Sequence, residues 1–340
     1  MKKVTIAFLL ACVLTGGAFA QVTFSGSVYA GIQFQSADDT DESITTTYRE
    51  GHPPRFDFMV TAMRENYGAR LDTRFQMTDD PDGHFSLRGI YGWVDFPGFS
   101  DDDAFRLTVG QITSTPWVLS RFHSMHSEIK FGDVRGFRLE YTTPIQGLSI
   151  GAAVRAAGDG LQRTAEQMIF GVTYIHPLFN TIFAYDLAGN VRTLFGFNFT
   201  GISDLTAGIQ LHAERLASWD DPAVGYPGVL QIRYKLGYRV LRPFNVFLIF
   251  GQRIHGTSGA GAEWEITPGI EYRFLPNLTG SLSVTLDNYR GNPDNNLTVR
   301  AGIEHTLRGP AIFYVEYELR LDNMENPAHS FGFGITLRAF

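Results

Sequence analysis

The chain has 340 residues and a formal net charge of -7 at pH 7, from 28 Lys and Arg against 35 Asp and Glu. This acidic balance argues against a nucleic-acid partner, because binding to phosphates needs a basic surface. Charged residues make up 19% of the chain and aromatic residues 14%, which is unlike a typical cytosolic enzyme and suits β-strands with bulky side chains.

Residues 1–20 predict an export signal. Lysines at positions 2 and 3 precede a mostly apolar stretch and Ala18-Phe-Ala20, a small-residue cleavage site ahead of Gln21. Cleavage would remove those two of the 28 basic residues, leaving 26 against 35 acidic ones and a net charge of -9. In the alternative, Leu9-Leu-Ala-Cys12 resembles a bacterial lipoprotein box and would place a lipid on the one cysteine.

From residue 21 to residue 340, apolar and polar residues alternate in runs of about ten, broken by turns. In one such run Val299, Ala301 and Ile303 face one way, while Arg300 and Glu304 face the other. The pattern predicts eighteen strands, or sixteen if 181–187 and 191–199 are not separate strands. The expected strands are 22–35, 55–64, 67–77, 85–96, 104–111, 136–143, 148–157, 166–175, 181–187, 191–199, 205–214, 228–240, 244–253, 264–274, 278–288, 297–307, 311–320 and 330–340.

The chain after the signal has no run of 18 unbroken apolar residues, which excludes a membrane-spanning helix. A closed barrel also satisfies its backbone hydrogen bonds in lipid, so we predict one all-β domain over 21–340, a transmembrane antiparallel β-barrel. Short connections such as 144–147 alternate with long ones near 36–54, 112–135, 215–227 and 253–263. Short turns belong to the periplasmic rim of such barrels, which places both chain ends there.

Three motifs follow one another in the segment 85–151. They are Leu87-Arg-Gly-Ile-Tyr-Gly-Trp93, then Phe105-Arg-Leu-Thr-Val-Gly-Gln111 and, after a long segment, Phe137-Arg-Leu-Glu-Tyr141 with Pro144 and Gly147 at a tight turn. Together they resemble consecutive strands of the Gram-negative general porins, over about a fifth of the chain. The sequence departs from that pattern at Gln111, which lacks a preceding arginine, and at Glu140, where porins commonly have an arginine.

In the porins that this chain resembles, the loop after the fifth strand folds into the barrel and presents carboxylates to a ladder of arginines. The resemblance implies an inner constriction loop near 112–135, with Glu128 and Asp133 as its acidic groups. The pore-lining basic residues would be Arg70, Arg74, Arg88, Arg106, Arg138 and Arg155. Arginine suits this role because a guanidinium stays charged even where like charges crowd together.

The C-terminal residues bear on insertion into the membrane, and the resemblance to porins bears on the oligomeric state. Phe340 matches the terminal aromatic residue that the barrel-assembly machinery reads, although the apolar residues Phe331 to Leu337 have the opposite parity. A bulge near Arg338 or a divergent lineage would reconcile the two. The resemblance also implies a homotrimer, but the second loop, 78–84, is short for the latch that stabilises such trimers.

These features predict an outer-membrane porin, a passive water-filled channel for small hydrophilic solutes and ions, with no cofactor and no enzymatic activity. A substrate-selective channel is the alternative within transport, but the aromatic residues expected inside, Tyr29, Phe183 and Tyr185, are too scattered for an aromatic slide. A barrel enzyme or a surface-binding protein is the alternative from another class. Four histidines fall near loop ends where Asp38, Asp82 or Ser258 could pair with them for catalysis: His52, His84, His255 and His329. A metal site at His123, His126 and Glu128 lacks a second cluster to complete it.

Overall fold

The structure, a computed structural model, describes residues 21–37, 41–45, 53–77, 84–112, 134–155, 168–187, 191–198, 204–214, 228–255, 263–288, 295–307, 311–322 and 326–339. Within these ranges the chain forms nineteen β-strands that belong to one sheet. They are β1 Gln21–Ala37, β2 Asp41–Thr45, β3 Arg55–Arg64, β4 Tyr67–Gln76, β5 His84–Pro97, β6 Ala104–Ile112, β7 Val134–Thr142, β8 Leu148–Arg155, β9 Met168–Ile175, β10 Phe179–Asp186, β11 Val191–Asn198, β12 Leu205–Glu214, β13 Val229–Leu241, β14 Phe244–His255, β15 Glu263–Leu275, β16 Leu278–Asp287, β17 Asn296–Thr306, β18 Ala311–Asp322 and β19 Asn326–Ala339. The described part of the chain contains no helix long and apolar enough to cross a membrane.

Eighteen of these strands form an antiparallel ring. Each strand from β3 to β18 pairs with the next along the chain. β1 pairs with β3 over Gln21–Tyr29 and with β19 over Gly26–Ala37, so the pairing returns to its start. A closed ladder leaves no open edge, which is what a sheet in lipid requires.

The eighteen predicted strands are confirmed, and β10 and β11 are separate, which excludes the sixteen-strand alternative. The long connection predicted near 36–54 contains a short strand, β2, that the sequence did not predict. Asp41–Thr45 shows no apolar alternation; it forms a strand because β1 extends beyond β3 and offers Gln33–Ala37 as a pairing edge. Of the two explanations for the parity of Phe340, the bulge near Arg338 is excluded, since β1 and β19 stay in register through Arg338 to Ala339. Phe340 lies outside the described residues.

The two faces of the ring differ in chemistry and in crowding. Large apolar side chains on one face are exposed, such as Phe85 at 66% and Ile303 at 50%. On the other face small and polar side chains are buried, such as Thr108 at 1% and Thr336 at 3%. Side chains crowd together on the concave side of a closed sheet and spread apart on the convex side. The polar face is therefore the interior of the barrel, and the apolar face points outward, as in transmembrane barrels.

Aromatic side chains gather outside the barrel near its short turns. At the β5–β6 turn, the Phe105 ring stacks on Tyr141 at 4.5 Å between centroids, and Phe99 meets Phe105 edge-on at 5.5 Å. Tyr272 and Phe274 make a second edge-on pair at 4.8 Å near the β15–β16 turn. This arrangement resembles the interfacial girdle of membrane barrels.

The turn between β7 and β8 shows why one glycine is needed there. Gly147 has a φ of +83°, and a Cβ at this position would lie 2.0 Å from the carbonyl oxygen of Ile175 on β9. Only glycine fits this combination of backbone conformation and close approach without strain. The tight turn that the sequence predicted at Pro144–Gly147 is confirmed.

Candidate functional site

The strongest charge cluster on the interior face is centred on Asp57 of β3. Arg74 of β4 donates two hydrogen bonds to its carboxylate, from Nε to Oδ1 at 2.6 Å and from NH2 to Oδ2 at 2.9 Å. The Nε of Arg55 lies 3.6 Å from Oδ2, and NH1 of Arg88 lies 3.7 Å from the same oxygen. One carboxylate is thus shared by three guanidiniums from three strands, which holds these long side chains along the wall.

A β-bulge brings Arg88 into this cluster. β5 pairs with β4 at Leu87 opposite Thr73 and then at Gly89 opposite Asp72, so Arg88 is an extra residue in its strand. A bulge re-aims the side chain of its extra residue, and here the guanidinium reaches Asp57 two strands away.

A second cluster lies nearer the short turns, on β5 to β7. Arg106 makes a two-pronged ion pair with Asp95, from Nε to Oδ1 at 2.6 Å and from NH2 to Oδ2 at 2.9 Å. The Arg106 guanidinium carbon also lies 5.8 Å from the centroid of the Trp93 ring. On the next strand NH2 of Arg138 donates to Oε2 of Glu140 at 3.3 Å. Register places Arg106 opposite Glu140 across β6 and β7, so the two ion pairs are adjacent.

We call the interior faces of β3 to β7 the arginine sector. It brings together five of the six arginines predicted from the sequence, and adds Arg55. Its described guanidiniums outnumber its carboxylates by six to four: Arg55, Arg70, Arg74, Arg88, Arg106 and Arg138 against Asp57, Asp72, Asp95 and Glu140. Arg70 makes no ion pair within 4 Å among the described residues. Arg155, the remaining predicted arginine, lies opposite Gly136 in the register of β7 and β8.

Carboxylates dominate another part of the wall, the interior faces of β15 to β18, which we call the carboxylate sector. It carries eight carboxylates: Glu263, Glu265, Glu271, Asp287, Glu304, Glu316, Glu318 and Asp322. Only Arg273, Arg300 and Arg320 share that face in these strands. Glu318 accepts a hydrogen bond from Nε of Arg300 at 2.6 Å, and Asp322 accepts one from Nε of Arg320 at 2.7 Å. Sequence reasoning missed this sector, because strand register alone shows that these acids share one wall.

Basic residues of β13 and β14 border the carboxylate sector and neutralise part of it. The Nε of Arg233 lies 2.8 Å from Oε1 of Glu265, and NH1 of Arg253 lies 3.6 Å from Oε2 of Glu263. Nε2 of His255 is 3.5 Å from the same Glu263 oxygen, an ion-pair distance without hydrogen-bond geometry. This pairing of a histidine with an acid is the arrangement that would favour the enzyme alternative, but Ser258 lies outside the described residues.

Between the two sectors lies a seam formed by the interior faces of β19 and β1, and its one described charge is Arg338, opposite Ser27 near the short turns. Its other polar side chains are hydroxyls, amides and one tyrosine, and Gln33 of β1 donates a hydrogen bond to Ser330 of β19. Two strands therefore separate the sectors on this side of the ring, and seven strands, β8 to β14, separate them on the other.

The interior aromatic residues differ from those predicted. Tyr29 faces inward, where the Arg55 guanidinium carbon lies 4.4 Å from its ring centroid. The prediction that Phe183 and Tyr185 face inward is wrong. Phe183 lies on the exposed apolar face, and Tyr185, two residues later in the strand, lies on the same face. The sequence prediction slipped by one residue in this strand, which moves every side chain to the opposite face.

Among the side chains that the structure describes, four further aromatic residues lie inside: Tyr91, Trp93, Phe247 and Tyr314. Three of them cover glycines of the neighbouring strand, where a Cβ would lie 2.3 Å from the Trp93 ring at Gly68, 2.2 Å from the Phe247 ring at Gly269 and 2.5 Å from the Tyr314 hydroxyl at Gly334. Each of these aromatic residues lies directly opposite its glycine, so the contacts could have been inferred once strand register was known. The sequence alone does not show which pairs meet.

The predicted constriction loop falls almost entirely outside the described residues. Ile112 ends β6 and Val134 begins β7, so the connection is 113–133, and Glu128 and Asp133 belong to it. The candidate ligands His123 and His126 lie there too. Among the residues that the structure describes, no group of three or more His, Cys, Asp or Glu is arranged to hold a metal ion.

Comparison with known proteins bears on the fold. No protein-family model matches the chain, and no curated protein matches it. Similar solved structures include OccK11 (OpdR) of Pseudomonas aeruginosa, with a TM-score of 0.60 at 11% identity over 94% of this chain and 96% of that one. OpdL of Pseudomonas aeruginosa has a TM-score of 0.59 at 12% identity, over 94% of this chain and 99% of that one. The outer membrane channel DcaP of Acinetobacter baumannii has a TM-score of 0.52 at 14% identity, over 95% of this chain and 98% of that one. The chain therefore has the fold of porin-type outer-membrane β-barrels.

Proposed function

We propose that this protein is an outer-membrane porin, a passive, water-filled channel for small hydrophilic solutes and ions. The observation that carries the proposal is the ring of eighteen strands whose concave face bears charged and polar side chains. Barrel diameter grows with strand number, and barrels of 16–18 strands leave an aqueous lumen where eight-stranded barrels are filled by side chains.

The separation of charge on the wall supports a channel with a transverse field. The arginine sector has two more guanidiniums than carboxylates, while the carboxylate sector has eight carboxylates against three guanidiniums. A field between such sectors orients water and dipolar solutes and disfavours apolar ones. The wall itself supplies both signs of charge, and carboxylates of the 113–133 connection would add to the negative side if that connection folds inward.

Several parts of the proposal extend to residues beyond those described. Residues 1–20 act as the cleaved export signal, Phe340 is read by the barrel-assembly machinery, and the short turns face the periplasm. Three copies assemble as the porin resemblance implies. Chemical cross-linking of the native membrane protein tests that state, because bands that stop at a dimer or a monomer would contradict it.

The experiment that tests channel function is single-channel conductance of refolded protein 21–340 in a planar bilayer with a salt gradient. Stable conductance steps are expected. A folded but silent barrel would contradict the proposal and favour the enzyme or surface-binding alternative.

Matched variants then test the two sectors. Arg70→Gln with Arg88→Gln should move the reversal potential toward cation preference, and Glu304→Gln with Glu316→Gln should move it toward anion preference. Ser27→Ala on the seam changes no charge, so it is the control and should leave the reversal potential unchanged. Identical reversal potentials in all of these proteins would show that the wall charges do not set ion preference.

Liposome swelling separates general diffusion from substrate selectivity. Entry of uncharged sugars should slow smoothly with size, as expected for a passive water-filled channel. A sharp preference for one solute over others of equal size would favour the substrate-selective alternative.

A further inference from the structure

An apolar groove of about 360 Å³ runs along the outer face of the barrel over β15 to β18. Its floor is formed by Gly280 and Leu282 of β16 with Ala301 and Ile303 of β17. Aromatic side chains form its walls, Tyr272 and Phe274 of β15 on one side and Tyr317 of β18 on the other. The groove faces the side of the sheet that the fold places in the membrane.

The groove exists because small residues lie between large ones. Register aligns Gly280 with Ile303, and Leu282 with Ala301, so the small residues of the two strands are diagonal neighbours and the low path crosses obliquely from β16 to β17. The Phe274 ring leans over Gly280, where a Cβ would lie 2.7 Å from it. The groove volume of about 360 Å³ is roughly twelve times the volume of about 30 Å³ that one water molecule occupies in the liquid. A single hydrocarbon chain fits this space.

A polar pair lies just beyond the groove at its short-turn end. His305 follows Ile303 on the outer face of β17, opposite Leu278, and its Nε2 lies 2.9 Å from Nδ2 of Asn277. Since an amide nitrogen only donates, Nε2 is the acceptor of this bond, and Nδ1 is the ring nitrogen left to donate. The Nδ1–H of His305 and the second N–H of Asn277 remain as donors to a ligand outside the barrel.

We propose that this groove seats one glycerophospholipid, with an acyl chain along Gly280 and Ala301 and the phosphate at Asn277 and His305. The apolar length and the polar end match the two parts of such a lipid, and the aromatic walls lie at the level where aromatic residues meet headgroups. A second copy of this chain fits less well, because stable protein interfaces bury about 1,200–2,000 Å² over broad complementary surfaces rather than one narrow groove.

The test is native mass spectrometry of the refolded protein in detergent, titrated with dimyristoyl phosphatidylglycerol. One lipid should remain bound to the wild type. Ala301→Leu fills the groove and should weaken binding about tenfold, because each buried methylene contributes about fourfold to a binding constant. Ala152→Leu makes the same change on the outer face of β8, away from the groove, and should bind like the wild type.

His305→Ala tests the polar end. It should weaken binding of phosphatidylglycerol several-fold, on the order of one hydrogen bond to a charged group, and leave dimyristoyl glycerol, which has no phosphate, unaffected. Equal lipid binding by Ala301→Leu and Ala152→Leu would overturn the proposal. A change of oligomeric state in Ala301→Leu without a change in lipid binding would also overturn it and assign the groove to contact between copies.

Discussion

Substitution of Asp57 should destabilise the barrel more than substitution of its closest partner Arg74, although the two form one ion pair. Asp57→Asn removes the carboxylate that three guanidiniums share, those of Arg74, Arg55 and Arg88 at 2.6, 3.6 and 3.7 Å. Arg74→Gln instead leaves the Asp57 carboxylate between two guanidiniums. The first change leaves like charges facing one another, and the second leaves opposite charges paired.

The size of this asymmetry follows from distance and exposure. Two unit charges 4 Å apart interact by about 4 kcal/mol at an effective dielectric constant of 20. Removing one partner of a buried pair costs about 3–5 kcal/mol, while an exposed pair is worth about 0–1 kcal/mol. The side chains around Asp57 are 19–33% exposed, between these limits. We therefore expect a loss of about 3 kcal/mol in the free energy of unfolding for Asp57→Asn and about 1 kcal/mol for Arg74→Gln.

The barrel offers a matched control in Asp95 and Arg106. This pair has the same two bond lengths, 2.6 and 2.9 Å, but its side chains are 30% and 48% exposed and the pairing is one to one. Asp95→Asn and Arg106→Gln should each cost about 1 kcal/mol or less, with no marked difference between them.

Urea unfolding of the refolded proteins in lipid vesicles, followed by tryptophan fluorescence, measures all four values where the transitions are two-state. Equal costs for Asp57→Asn and Arg74→Gln, or a larger asymmetry in the control pair, would refute the reasoning that one carboxylate holds three arginines.

Two more predictions concern the described barrel. Gly68→Ala should cost about 2 kcal/mol, because its Cβ would lie 2.3 Å from the Trp93 ring. Gly92→Ala, whose Cβ meets nothing closer than 3.4 Å, should cost less. A Trp93→Ala background should relieve part of the Gly68→Ala cost, since the contact of the Cβ with the Ala62 carbonyl oxygen at 2.8 Å remains; unfolding titrations that show the same Gly68→Ala cost in both backgrounds would contradict this. In the β5–β6 turn, a hydrogen bond from the Tyr141 hydroxyl, aided by backbone N–H donors, lowers the pKa of Asp103 to about 2 from its ordinary 3.8. A lowered carboxyl pKa stabilises the fold above the ordinary pKa, and this contribution is lost as the pH falls through about 2. Asp103→Asn should therefore be less stable than the wild type at pH 7, with the difference shrinking toward pH 2, and a constant difference at both pH values would show that the charge of Asp103 is not responsible.

The charged interior shows how far the arginines could be predicted. Arg70, Arg74, Arg106 and Arg138 alternate with apolar residues, so a period of two was enough to place each on the polar face. Arg88 also proved to be inside, but it reaches Asp57 through a bulge, and a bulge depends on how two strands pair. The partners of these arginines could not be predicted, because Asp57 and Arg88 meet only after β4 is inserted between their strands.

The strand β2 and the residue Phe183 show what could not be predicted about individual strands from the sequence. Asp41–Thr45 lacks the alternating signal, and it is a strand only because β1 offers an edge beyond β3. Phe183 was assigned to the wrong face because a short strand of mostly apolar residues has no parity of its own. Its neighbours β9 and β11 decide which of its side chains point inward.

The sequence by itself determined that this chain forms an antiparallel barrel of sixteen or eighteen strands with one apolar and one polar face. That information is local, because alternation, turn residues and strand length are all read within about ten residues. The tertiary structure alone decided that the ring has eighteen strands, that the carboxylates of β15 to β18 share one wall, that a seam with one described charge, Arg338, separates them from the arginine sector, and that small residues on β16 and β17 form an outer groove. These features depend on register between strands and on closure of the ring, and closure brings β1 and β19, the two ends of the described chain, side by side.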